Sequence, residues 1–354
     1  MGTAARRTPR PEPHVETDRR DATASEAEIA RARRTDGVAA DRPGKLPAAA
    51  WIAVAQRVKL QVKELHLPLL AAGVAFRLLL AFVPALVAGL SVWGLAADPD
   101  ALADRIADLA SQLPEEGGAL AGDLLMDLTD QAGGQLGWAL LATLAVTLWS
   151  TGSGVIGLID GSSAAYGEAD TRSAVRRRLL GLVGGVAGLV VLAVVVMVAT
   201  AAPQVAANLG AGETVETVVS WARWPLLIVI LIAILLTIYL VGPDRHRARW
   251  RWALPGAAIG AAIWTLASAG FGVYVTRLAD LDDTYGPLAG LIVLMLWVFL
   301  SSFAILLGAV VNAELERQTA VDTTAGAPEP TGERGAIVAD ELPVTYRPQQ
   351  FGDR

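Results

Sequence analysis

Hydrophobic positions in this chain gather into six long runs, at about 69–95, 137–159, 179–202, 221–241, 253–275 and 286–311, with short polar stretches between them. Each run reaches the ~20 residues an α-helix needs to cross ~30 Å of hydrocarbon at ~1.5 Å per residue. None keeps the polar face that a helix on a water-soluble core requires. The pattern therefore predicts an all-α, polytopic membrane protein with six transmembrane helices. Ahead of the first run, Trp51, Val54, Val58, Val62 and Leu65 recur at helical spacing, while Arg57, Lys59 and Lys63 lie elsewhere around the same helix. Such a helix either rests on an anionic leaflet or packs on the loops at that end of the bundle. Between the first two runs, Leu102, Ile106, Leu109 and Leu113 make one amphipathic face and Leu120, Leu124, Leu125 and Leu128 another. They predict two short helices in the first outer loop, over the outer surface of the bundle.

The charges between the runs alternate and set an orientation. Arg57, Lys59 and Lys63 precede the first run, Arg172 and Arg176, Arg177 and Arg178 separate the second from the third, and Arg245, Arg247, Arg249 and Arg251 separate the fourth from the fifth. The other loops are poor in cations, with Arg105 and Arg277 one to a loop. Cationic loops stay on the cytoplasmic side, which predicts that both termini are cytoplasmic. The net charge of −6 adds little to this, because the two membrane faces differ in sign.

Composition supports one membrane domain at 47–317, with 53% hydrophobic residues over the chain, flanked by polar tails at 1–46 and 318–354. Both tails are poor in large apolar residues and are expected to be disordered cytoplasmic segments. The first 46 residues hold no apolar signal segment, so insertion is expected to rely on the runs themselves. Their charges are mixed, which argues against a nucleic-acid arm. With no cysteine, disulfides and thiolate metal sites are excluded. Abundant arginine and alanine fit a high-GC bacterial genome.

Polar groups within the runs mark candidate chemistry. Arg77 lies about 12 Å inside the membrane if the first helix begins at Leu69, where a guanidinium needs an anion or water. It is either a ligand for an anionic substrate or lipid phosphate, or the surface cap of a span that starts at Leu78, with 65–76 as a re-entrant or interfacial helix. Trp149, Ser150, Thr151, Gly152, Ser153 and Gly154, followed by Asp160, form a second cluster. Glycines and hydroxyls together predict either a broken helix lining a pathway, or hydroxyls bonded back to their own helix carbonyls. Tyr285, in Thr284-Tyr285-Gly286-Pro287, belongs at the outer interface or at the mouth of a pathway. Asn312 and Glu314 end the sixth run near the basic loops. Gly181, Gly184, Gly185 and Gly188, with Gly256 and Gly260, provide small-residue faces for packing within the bundle or for a homo-oligomer.

The residues from Trp250 to Ala257 (WRWALPGA), then Trp264, Phe271 and Tyr274, then Thr284-Tyr285-Gly286, Leu296-Trp297 and Leu307-Gly308-Ala309 with Asn312-Ala313-Glu314, resemble the YihY/BrkB family of bacterial inner-membrane proteins. Upstream, Ala75-Phe76 with Pro84, Trp149-Ser150, Tyr166-Gly167, Arg172 and Arg176 to Arg178 continue the resemblance, which covers about 47–317. It implies six helices with both ends inside, a multi-pass protein of the bacterial inner membrane, and a part in envelope integrity. Members of that family have been labelled transporters and, historically, ribonuclease BN. Where the family commonly has tyrosine, serine, asparagine and glutamate, this chain has Arg77, Ala81, Ser163 and Val310, which implies a pathway rewired around a cation.

The nuclease label meets a chemical objection. A metal-dependent nuclease needs clustered His, Asp or Glu ligands, and His14, His66 and His246 are widely separated. Asp280, Asp282 and Asp283 fall on the outer side, away from RNA. No enzyme activity, metal or cofactor is expected, and no nucleotide-binding loop is present. The leading expectation is a transporter or flippase-like protein for an anionic or amphipathic substrate or a lipid, using Arg77, Trp149, Ser150, Thr151, Ser153, Asp160, Tyr285 and Asn312. The rival is a non-transporting scaffold for envelope assembly. The expected partners are membrane lipids and envelope proteins, with no nucleic acid.

Overall fold

The computed structural model describes residues 37–96, 136–208, 212–277 and 289–341. Its long helices are α1 (Ala48–Glu64), α2 (Leu67–Ala96), α3 (Leu136–Ala165), α4 (Ala174–Asn208), α5 (Gly212–Val241), α6 (Trp250–Arg277) and α7 (Ala289–Glu316), followed by one short turn, α8 (Ile337–Asp340). The described residues form no sheet, only a single antiparallel bridge between Ala248 and Thr324. By length and composition, four helices can cross a membrane, at Ala174–Val195, Thr217–Val241, Trp250–Val275 and Ala289–Glu316. The pair α1 and α2, bent by 65°, makes a fifth if counted as one broken span. The bend falls at His66, a non-glycine residue in the left-handed region at φ 48°.

Consecutive helices from α2 to α7 are neighbours, and α7 returns to pack along α2 and α3, closing one bundle. The interior is built from small residues a turn apart: Ala253, Ala257 and Ala261 on α6, against Leu306, Ala309, Val310 and Ala313 on α7 and Leu67, Ala71 and Val74 on α2. Small side chains let backbones approach where no hydrophobic drive between helices operates. The closest approach is at Gly256, where an added Cβ would sit 2.3 Å from both the Gly308 carbonyl and the Asn312 Oδ1. Gly181 and Gly185 of α4 meet Gly152 of α3 in the same way. These glycine faces are occupied inside the chain. Large apolar side chains such as Leu179, Val183, Val229, Leu266 and Leu291 point outward instead, the coat expected of helices that face lipid.

Residues 37–66, 166–173, 242–249 and 317–341 meet at one end of the bundle, where the arginines are tied down. Arg245, 2% exposed in its side chain, donates to both oxygens of Glu316 at 3.0 and 2.7 Å. Its guanidinium also lies 4.1 Å over the Tyr166 ring, and Thr323 Oγ1 donates to Glu316 at 2.9 Å. Burial pushes the Tyr166 phenol well above its ordinary pKa, which keeps it neutral beside this pair. Arg57 of α1 donates to Glu314 Oε2 at 2.7 Å, to the Glu314 carbonyl at 3.0 Å and to Gln318 at 2.7 Å, while Arg317 takes the other Glu314 oxygen at 2.6 Å. Arg172 closes the end of α5 by donating to the carbonyls of Gly242 (2.8 Å) and Pro243 (3.1 Å), the favourable place for a cation on a helix. Gly167, at φ 69°, ends α3 in the left-handed turn that glycine adopts most cheaply.

Several sequence expectations change. Of the two readings for the amphipathic helix α1, the structure shows packing on the bundle: Ala50 and Val54 are buried with Leu46, Trp252 and Leu315. The segments 37–46 and 318–341, read from composition as disordered tail, are folded onto this end. Polar composition misleads here because the burial is achieved by side-chain-to-backbone hydrogen bonds rather than by apolar area. Thr319 Oγ1 bonds the carbonyls of Val38 and Ala40, and Asp322 accepts from the backbone of Thr324 and Glu329. Buried Arg334 donates to the carbonyls of Ala339, Ala320 and Glu329. The proposed interfacial helix 65–76 is absent as a separate piece, since α2 runs unbroken through Arg77. The amphipathic faces at 102–113 and 120–128 and the residues Asp280 to Pro287 lie outside the described residues.

Two outcomes test this end of the molecule. Replacing Glu316 with Gln leaves Arg245 buried without its anion, a loss of about 3–5 kcal/mol that should appear as a sharply lowered melting temperature in detergent. Asp244 Oδ2 accepts from the Thr171 hydroxyl (2.7 Å) and backbone N–H (2.9 Å), which holds its carboxyl below the ordinary range. A lowered folded-state pKa contributes stability above the unfolded value near ~4 that is lost as pH falls through the folded one. Melting temperature measured from pH ~5 to ~3 should therefore fall more steeply for the parent protein than for Asp244→Asn.

Candidate functional site

One stripe of α3, running Trp149, Ser153, Gly157, Asp160 at helical spacing, is covered by arginines from the two flanking helices. From α2, Arg77 Nη1 donates to Asp160 Oδ2 at 2.9 Å. It reaches across at Gly157, where an added Cβ would stand 3.1 Å from the Arg77 Cδ, so any larger residue would crowd the path. From α4, Arg177 donates to the other oxygen of Asp160 and lies 3.3 Å from Asp170. Arg178 extends along the stripe: Nη1 donates to Ser153 Oγ at 3.2 Å, Nη2 to the Trp149 carbonyl at 3.1 Å, and its guanidinium stacks 3.2 Å from the Trp149 ring centroid.

The electrostatics are lopsided. Asp160 and Asp170 together balance Arg77 and Arg177, and half of the Arg77 side chain is open. Among the described residues Arg178 has no carboxylate partner, and its Nε is buried without an acceptor. Arg176, Arg177 and Arg178 also crowd the first turns of α4, where the helix dipole adds positive charge of its own. Helix stability does not favour that placement; an anion beside it would.

Depth adds to the cost of these charges. An added Cβ at Gly242, where α5 ends, would lie 3.8 Å from the Ile159 Cα, so that helix end is level with Ile159. Ser153 and Trp149 lie ~9 and ~15 Å further along α3 at ~1.5 Å per residue, and the Arg178 guanidinium sits between them. It lies inside the apolar stretch that opens at Ala174.

Of the residues predicted from sequence, Arg77, Trp149, Ser153 and Asp160 come together here, with Ser150 and Thr151 on the same turn of α3. The helix is not broken at Gly152 to Gly154. It runs from Leu136 to Ala165, and Ser153 Oγ donates to its own helix carbonyl at Trp149 (2.8 Å), so the hydroxyls back-bond and the glycines serve helix contact. Asn312 sits apart and fully buried between α6 and α7, accepting from the Gly256 N–H at 2.7 Å and donating to the Ala253 carbonyl at 2.9 Å. Tyr285 lies outside the described residues. Arg177 and Arg178 were read as loop charge, because the apolar run begins at Leu179. The signal for them is that α4 begins earlier, at Ala174, carrying their side chains into the bundle. Among the described residues no group of three His, Cys, Asp or Glu side chains could hold a metal ion.

A closed bundle of long apolar helices, coated outward with aliphatic side chains and bearing an arginine cluster in its wall, is a multi-pass helical membrane protein. The chain belongs to the family described as Virulence factor BrkB, whose model matches residues 59–332. The ribonuclease-like protein YfkH of Bacillus subtilis (strain 168) is 27% identical over 195 residues, 54% of this chain and 69% of its own length. A UPF0761 membrane protein of Tolumonas auensis is 38% identical over 81 residues, 23% of this chain and 26% of its own. Another, of Idiomarina loihiensis, is 32% identical over 106 residues, 30% of this chain and 37% of its own. The chain therefore spans little more than a third of the length of these two relatives at most. No solved structure matches.

Proposed function

We propose that the chain crosses a bacterial inner membrane six times with both ends in the cytoplasm, and moves an anionic or amphipathic substrate, lipids included, in support of the envelope. The topology reading draws on the gathering of the arginine-bearing segments 37–66, 166–173 and 242–249 at one end, since cations resist translocation. It also draws on the thirty-residue lengths of α2 and α3, each enough for a crossing. The transport reading is carried by one observation: Arg77 and Arg177 are bridged by Asp160 in the wall of the bundle, while Arg178 beside them meets only neutral groups among the described residues. Excess cationic charge at membrane depth is expensive and is kept where it meets an anion. Ser150, Thr151, Asn312 and, at the outer end, Tyr285 remain pathway candidates in this proposal.

A second reading, a scaffold that holds envelope partners without transport, is favoured by the rigidity of the basic end, where Glu316, Asn312 and Thr323 are fully buried. The two separate in a proteoliposome assay that follows a fluorescent phosphatidylglycerol analogue between leaflets. Arg77→Ala should slow its movement about tenfold, the weight of one charge-assisted contact. Equal rates would remove Arg77 from the mechanism, and no movement above protein-free vesicles would favour the scaffold.

A further inference from the structure

We infer that the seam between α3 and α4 binds the phosphate head of an anionic phospholipid, with Arg178 over Trp149 as the receiving cation. This deepens the transport reading by naming a substrate class, and rests on that reading only for the movement of the lipid once bound.

A guanidinium ~9–15 Å beyond the level where α5 ends is costly unless its charge is met. Asp160 meets Arg77 and Arg177, but it is ~10 Å or more along α3 from the Ser153 to Trp149 segment that holds Arg178. What Arg178 has instead is one hydroxyl, one carbonyl and the face of an indole, all neutral. A cation–π contact contributes about 0.5–2 kcal/mol and does not neutralise a charge. A phosphodiester would supply both the missing negative charge and paired oxygens suited to a planar guanidinium. Its Nε is buried with no acceptor, a donor left over in the seam itself.

The surroundings select a lipid over a free anion. Trp149 is 62% exposed on the outer side of the bundle, and Val146, Leu179 and Val183 beside it are each more than half exposed. In water such a surface would be a liability; against acyl chains it is a fit. The site is thus amphipathic in the same sense as its ligand: cations on the seam and aliphatic side chains along the outside.

The test reads lipid retention, without flux. Full-length protein, delipidated in detergent, is offered equal amounts of phosphatidylglycerol and phosphatidylcholine in mixed micelles and examined by native mass spectrometry. Phosphatidylglycerol should be retained in preference, and an excess of inorganic phosphate should leave it bound. Arg178→Gln should cut that retention about fivefold, the weight of one arginine at an anionic surface. Arg178→Lys should lose less, and Arg251→Gln, away from the seam, should lose nothing. The inference is overturned if a monodisperse Arg178→Gln protein keeps parental retention, if the two lipids are held equally, or if inorganic phosphate displaces the lipid. Should Arg178→Gln fail to fold, Trp149→Leu carries the test: a reduced preference is expected, and an unchanged one overturns the site. Retained lipid without movement between leaflets would count against transport alone, and movement without retention would count against this site alone.

Discussion

A guanidinium taken out of water has to be met by an anion or by several hydrogen-bond acceptors, and this bundle is organised around meeting that demand at successive depths. At the basic end, Arg245 is sealed from solvent with a bidentate carboxylate, a hydroxyl on that carboxylate and an aromatic face. Higher in the wall, Arg77 and Arg177 are bridged by Asp160, with Asp170 as a second partner for Arg177. At Arg178 the described residues supply no anion at all. Compensation thus decreases toward the lipid-facing surface, and this gradient separates the structural arginines from those free to meet a ligand.

The same constraint explains how a polar segment becomes part of the fold. Residues 317–341 carry few large apolar side chains, yet Thr319, Thr323, Thr324 and Arg334 are buried. They bury because their polar groups are met: Thr319 by the carbonyls of Val38 and Ala40, Thr323 by Glu316, Thr324 by Asp322, and Arg334 by three carbonyls of the same segment. The strap then fixes the loops 166–173 and 242–249, where Ile337 N–H meets Glu168 and Arg249 N–H meets the Thr323 carbonyl. Those loops carry Arg172 and Arg245. Rigid loops set where α4 begins, and so how far Arg177 and Arg178 reach along α3.

Much of the architecture was legible in the sequence. Apolarity on all faces over more than twenty residues has no use in a soluble core, so the long helices follow from hydropathy, and the spacing of Trp51, Val54 and Val58 was enough to find α1. Arg77 and Asp160 were each singled out, but their pairing joins residues 83 apart in sequence, which no local pattern records. Arg178 was missed because a hydropathy run stops at the first charge, whereas a long side chain lets the helix start a turn earlier. The glycines at 152 and 154 were open to two readings because a glycine pair in sequence signals either local freedom or close contact, and only the neighbouring helix distinguishes them. The strap was misread because composition weighs apolar area and ignores donors and acceptors waiting on another part of the chain.

The topology read from these arginines requires the basic end of the bundle to lie inside the cell. The absence of cysteine makes that directly measurable, since a single Arg247→Cys substitution on the exposed loop after α5 would carry the only thiol. A membrane-impermeant maleimide applied to intact cells should leave it unlabelled, and permeabilised cells should label fully. Labelling from outside would place the basic end on the outer face of the membrane and contradict the topology.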